Sequence, residues 1–148
     1  MSISYDAFQD AFLNKVTDYD YIKMDAGVRG EIVDGYMKRA CSEFDTICKY
    51  DLMDYNDDTR EFAADIPYNE LDEIINIVSE GMCVQWLKRE FYKADNLRNV
   101  LNTPDFYAYS PAELLYRITN AYNAAKRDYR NLVRDYSYRR GKLDDLWL

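Results

Sequence analysis

No histidine occurs anywhere in the 148 residues. This removes the commonest general base, the commonest metal ligand and every Ser–His or Cys–His mechanism. Carboxylate and lysine chemistry stay open, yet the expected protein is not an enzyme. Glycine (5) and proline (3) are scarce. All-β folds need many turns, so the scarcity points to helices. Cysteine occurs three times, at Cys41, Cys48 and Cys83. An odd count at irregular spacing is no disulfide framework, and small buried hydrophobes in a reducing compartment are the expected role. No apolar run approaches transmembrane length. The segment Met1-Ser2-Ile3-Ser4-Tyr5-Asp6 lacks the basic and apolar regions of a signal peptide. The expectation is a soluble intracellular protein without a membrane partner.

What is present suffices for a core. The hydrophobic fraction is 48% and the aromatic fraction 16%, which argues against disorder and for one domain that needs no staples. Fifteen residues are Tyr, a side chain suited to cores and to wet interfaces. The net charge of −8 is unevenly placed: residues 110–148 hold eight basic and five acidic residues, leaving eleven and twenty-two in 1–109, so the two parts carry +3 and −11. An acidic body does not bind nucleic acid non-specifically, and any such role falls to the C-terminal part.

Apolar residues recur at helical spacing along most of the chain. Tyr5, Phe8, Phe12 and Val16, behind a Ser4 N-cap, predict a first helix over 5–16. A second spans 25–49 with the stripe Val28, Ile32, Tyr36, Ala40, Phe44, Ile47 and Cys48. Gly27, Gly30 and Gly35 weaken its first half, and close helix contact or a local bend is the expected reason. Residues 50–65 read as a polar, acidic loop. Pro67 opens a third helix, with Glu70, Asp72 and Glu73 at the positive end of its dipole. Its stripe runs from Leu71 through Ile74, Val78, Met82 and Trp86 to Phe91, which makes it the central helix. Residues 93–109 read as an elbow with a short helical piece near 97–101. Ser110-Pro111-Ala112-Glu113 is a capping box with proline at the first helical position. The last helix follows, with Leu115, Ile118, Tyr122, Ala125, Tyr129, Leu132 and Tyr136 near a heptad seam, and Gly141 as its stop. The fold class is therefore all-α: a single helical bundle of three to five helices over 1–142, a long C-terminal helix, and an extended C-terminal tail over 143–148.

Three patterns are candidates for chemistry. Asp54, Asn56 and Asp58 occupy positions 1, 3 and 5 of a twelve-residue window ending at Asp65, as in a calcium loop. Position 6 is Thr59 instead of glycine and position 12 is Asp instead of the bidentate Glu, so a solvated acidic loop is the simpler reading. No metal and no cofactor are expected. The acidic groups Glu70/Asp72/Glu73 and Glu31/Asp34 have nothing that sets two carboxyls apart in environment, as acid–base catalysis requires. The basic residues Lys126, Arg127, Arg130, Arg134, Arg139 and Arg140 are candidates for partner binding. On the last helix, Lys126, Arg127, Arg130 and Arg134 are expected to face away from the tyrosine stripe, towards solvent or towards an acidic partner. Leu146, Trp147 and Leu148, behind the solvated Asp144 and Asp145, are expected to insert into a partner surface, since Trp is enriched in binding hot spots.

Several stretches resemble a known class of protein. They are Val78-Ser79-Glu80-Gly81-Met82 through Trp86-Leu87-Lys88; Asn96-Leu97 with Leu101-Asn102-Thr103-Pro104-Asp105-Phe106; Tyr109-Ser110-Pro111-Ala112-Glu113-Leu114-Leu115; and Tyr129 through Arg134-Asp135-Tyr136-Ser137-Tyr138. Over residues 28–142 the pattern resembles small α-helical virion structural proteins of tailed bacteriophages, the neck or head–tail connector (adaptor) proteins. The resemblance implies a homo-oligomeric ring, often a dodecamer, docked beneath the portal protein. It also implies contacts with other neck proteins, DNA at most passing through the lumen, synthesis in the bacterial host cytoplasm and residence in the virion. Independently, a charge-asymmetric subunit suits head-to-tail contacts that close into a ring. The alternative is a helical regulatory or nucleic-acid-associated binding module using the basic C-terminal helix.

Overall fold

The structure, a computed structural model, describes residues 3–16, 26–101 and 111–139. It is mostly helical. Helix α1 spans Tyr5–Lys15, α2 Ala26–Asp45, α3 Tyr68–Leu101 and α4 Pro111–Arg139. Helix α3 is the hub, packing most extensively on α4 and then on α2 and α1. At 34 residues it is about 51 Å long, at 1.5 Å of rise per residue.

Local chemistry explains where the first helix begins. Ser4 has extended backbone and its hydroxyl accepts the Asp6 N–H at 3.2 Å, satisfying one orphan donor of the first turn. Tyr5, Phe8 and Phe12 are fully buried on one stripe. On α2 the buried face is wider than the expected stripe. Val33, Met37 and Cys41 are buried beside Tyr36, Ala40 and Phe44, while Ile32 is only half-buried. Contacts with α1, α3 and α4 on several sides of α2 require that width. All three cysteines are free and buried, and burial pushes the Cys41 and Cys83 thiols up to about 12.

Three sequence expectations need correction. First, the chain is not wholly helical. Strands β1 (Ile3–Ser4), β2 (Tyr55–Asn56) and β3 (Glu61–Phe62) form a small antiparallel sheet in the order β1-β3-β2. The acidic stretch is thus a hairpin, with Asn56 opposite Glu61 closing a four-residue loop over 57–60. Arg60 closes it in the left-handed region at φ 55°. Phe62 is buried and its ring meets those of Tyr5, Phe8 and Tyr55 at 5.1, 5.2 and 6.0 Å. That aromatic cluster, with Ile3, is what folds the segment. Second, there is no elbow at Lys93: α3 continues to Leu101, because 93–101 contain neither glycine nor proline and include good helix formers. Third, Gly30 and Gly35 do not mark a close crossing. A Cβ added at Gly30 or Gly35 would meet nothing within 4 Å.

The close crossing lies elsewhere. A Cβ at Gly81 would come within 3.0 Å of both Ala40 Cβ and Tyr129 Cε2. Gly81 and Ala40 together let α2, α3 and α4 converge on the Tyr129 ring. Further along, Tyr136 is buried with its ring 5.0 Å from that of Phe44. Its hydroxyl accepts the Lys49 N–H at 3.2 Å, just past the end of α2. Tyr129 and Tyr136, seven residues apart, fasten α4 to the other helices.

Candidate protein-interaction surface

Of the acidic residues singled out in the sequence, Asp34, Glu70 and Glu73 have partners within the chain, and so does Asp57 of the hairpin. Asp57 accepts the Tyr5 hydroxyl at 2.9 Å and pairs with Lys38 at 2.9 Å. These two partners, Lys38 first, hold its carboxyl below the usual range. Asp34 receives the Arg60 guanidinium at 3.1 Å and the Gln9 amide. Arg60 also reaches Asp6 at 3.0 Å, so one arginine ties the hairpin to α1 and α2. Glu70 accepts the Tyr50 hydroxyl. The window that resembled a calcium loop is a hairpin braced by these contacts. Among the described residues, no group of three Cys, Asp or Glu side chains is placed to hold a metal ion. No described helix is long and apolar enough to cross a membrane.

The basic residues of α4 divide. Arg127, Arg130 and Arg134 are exposed on one face, opposite the Tyr129–Tyr136 anchor. Among the described residues, Arg127 pairs only with its neighbour Asp128, at 3.8 Å. Arg130 and Arg134 border a groove of about 320 Å³ with Glu43, Ile47, Tyr129 and Val133. Lys126 does not face away from the tyrosines: its ammonium sits 5.2 Å from the Tyr122 ring centroid, as an i, i+4 pair on a helix must. Arg139 binds Glu73 of α3 at 2.6 Å, so it fastens α4 to α3 within the chain. Arg140, Leu146, Trp147 and Leu148 lie outside the described residues.

Packing also creates a basic surface that the sequence does not display. Arg39 of α2 and Lys88, Arg89 and Lys93 of α3 line a cleft of about 520 Å³, with Tyr36 and Tyr92. Tyr36 is buried in its floor and Tyr92 stands 55% exposed at its edge. Arg39 lies 49 residues from Lys88 in sequence, so only the packing of α2 on α3 unites them. The one local signal is the row Gln85, Lys88 and Tyr92, polar or amphipathic at helical spacing inside an apolar helix. The cleft and the α4 groove flank Glu43, which accepts the Gln85 amide at 3.3 Å. Glu43 is one turn from Arg39 on α2.

No family model, curated protein or solved structure matches the chain.

Proposed function

We propose that this chain is a structural subunit of a tailed-bacteriophage virion, a head–tail connector (adaptor) that assembles as a ring beneath the portal and performs no catalysis. One observation carries the reading. Arg127, Arg130 and Arg134 form an exposed basic row on a helix that its opposite face fixes rigidly, in a chain whose remaining charge is strongly acidic. A rigid row of one sign and an acidic surface elsewhere on the same molecule suit heterologous, head-to-tail contact. The resemblance of residues 28–142 to neck proteins supports the same reading. In it, Leu146, Trp147 and Leu148 anchor the subunit to a partner, and any DNA passes through the lumen.

The test is imaging of purified particles together with a triple charge reversal. A ring of copies beneath the portal is the expected density. Arg127→Glu/Arg130→Glu/Arg134→Glu is expected to weaken assembly by about tenfold or more, with a steep dependence on salt in the wild type. Assembly that is unchanged by the reversal at every salt concentration refutes the basic-row contact. Loss of DNA binding, with assembly intact, would favour a nucleic-acid module instead.

A further inference from the structure

We infer that the cleft between α2 and α3 is a receptor for the acidic hairpin of a second copy of this chain. The inference rests on the oligomeric reading above and names the surfaces that meet. Four cations, Arg39, Lys88, Arg89 and Lys93, converge on the cleft from two helices. Lys93 has Glu90 at 3.6 Å, whereas Arg39 and Lys88 have no ion-pair partner among the described residues. A concentration of one sign in a concave site bordered by aromatic rings selects an anionic partner.

The same molecule carries such a partner. Asp51, Asp54 and Asp58 are exposed around the hairpin, and neither Asp54 nor Asp58 is ion-paired among the described residues. The hairpin is braced by its pairing with β1 and by Arg60, Asp34, Tyr5 and Lys38. A braced loop loses little conformational freedom on docking. Lys38 faces the hairpin and Arg39 faces the cleft. Consecutive helix residues point about 100° apart, so α2 separates the two surfaces. The contact is therefore between subunits, and because its two halves differ it is heterologous. Repeated, it closes a ring or extends a filament. Phosphate-rich ligands are disfavoured, because the molecule as a whole carries a net charge of −8.

Two variants and a cross-link test the proposal. Arg39→Gln/Lys88→Gln removes charge from the cleft, and Asp54→Asn/Asp58→Asn removes it from the hairpin. All four side chains are exposed, so the fold is expected to persist, as circular dichroism would verify. In sedimentation velocity at low salt, each variant alone is expected to self-associate at least tenfold more weakly than wild type, by about the scale of such charge contacts. Mixed, the two retain one intact cleft and one intact hairpin and are expected to give a 1:1 dimer and nothing larger. Zero-length carbodiimide coupling of mixed ¹⁴N and ¹⁵N protein is expected to join Lys88 to Asp54 or Asp58 in mixed-isotope peptides. Cross-links confined to one isotope, or from Lys88 only to other carboxylates, overturn the inference. So does undiminished association of both variants. If these variants assemble normally while the Arg127/Arg130/Arg134 reversal does not, the subunit reading stands and the cleft docking falls. If the wild type remains monomeric, uncross-linked and absent from particles, both fall. Binding of a single-stranded oligonucleotide that is lost with Arg39→Gln/Lys88→Gln, without any self-association, overturns the inference in favour of nucleic acid.

Discussion

Gly81 and Gly35 show that the same residue type acts oppositely at two helical positions. Both sit inside helices, where glycine costs about 1 kcal/mol relative to alanine through backbone entropy. At Gly35 a Cβ has open space, so Gly35→Ala is expected to stabilise by roughly 0.5–1 kcal/mol. At Gly81 a Cβ would press at 3.0 Å on Ala40 and on Tyr129, and overpacking of that kind costs about 1–3 kcal/mol. Urea denaturation of the two variants should give shifts of opposite sign. The buried tyrosines set an alkaline limit. Burial is the main cause that raises Tyr129 and Tyr136 above the ordinary tyrosine value. Their neutral forms are therefore favoured in the fold. Stability is intact below pH about 10, the unfolded ionisation range. It falls as the pH rises further, because the unfolded chain releases these protons first. Melting temperature measured between pH 8 and 11 should decline steeply at the top of the range. Tyr136→Phe should flatten that decline.

At the scale of elements, the hairpin behaves as part of the core although most of its residues are polar. Phe62 links β3 to α1 through Tyr5 and Phe8 and to β2 through Tyr55. Truncating a buried Phe leaves a cavity, so Phe62→Ala is expected to destabilise by about 3–5 kcal/mol. Asp58→Ala, at an exposed loop position without a side-chain contact among the described residues, should leave the urea midpoint within error. Equal effects of the two would mean that the hairpin is a surface appendage. The pattern was partly legible. Phe62, Ala64 and Ile66 alternate with exposed Ala63 and Asp65, which is a strand period. The density of Asp in 51–58 masked it, and two-residue strands are too short to register by periodicity alone. Conversely, the Ser4 cap and the stripe of α1 were fully legible, because a helix start depends on neighbours within four residues.

At the scale of the whole molecule, ion pairs within the chain tie its elements together. Lys15, Lys38, Arg60 and Arg139 bind Glu80, Asp57, Asp6 with Asp34, and Glu73 respectively. These pairs tie α1 to α3, α2 to the hairpin, the hairpin to α1 and α2, and α4 to α3. Asp57 of the hairpin thus has a protein cation, Lys38, as its partner, and the hairpin's Arg60 engages the carboxylates of Asp6 and Asp34. Excess EDTA, or added calcium, is accordingly expected to leave the melting temperature unchanged. A chelator-dependent shift would show that the acidic segment 54–65 holds a metal after all.

The sequence by itself determined where the four helices begin, many of their buried positions and the asymmetry of charge, because period, capping and composition are written in residues close to one another. It also determined that the cysteines would be buried and that Tyr129 and Tyr136 would share one stripe of α4. Only the tertiary structure decided that residues 3–4 would pair with 61–62, that Arg139 would bind Glu73, and that Arg39 would share a cleft with Lys88. Each of those contacts joins positions dozens of residues apart. No local pattern encodes such a meeting, because it follows from how α1, α2 and α4 settle against α3 and from which side chains are left facing the gaps.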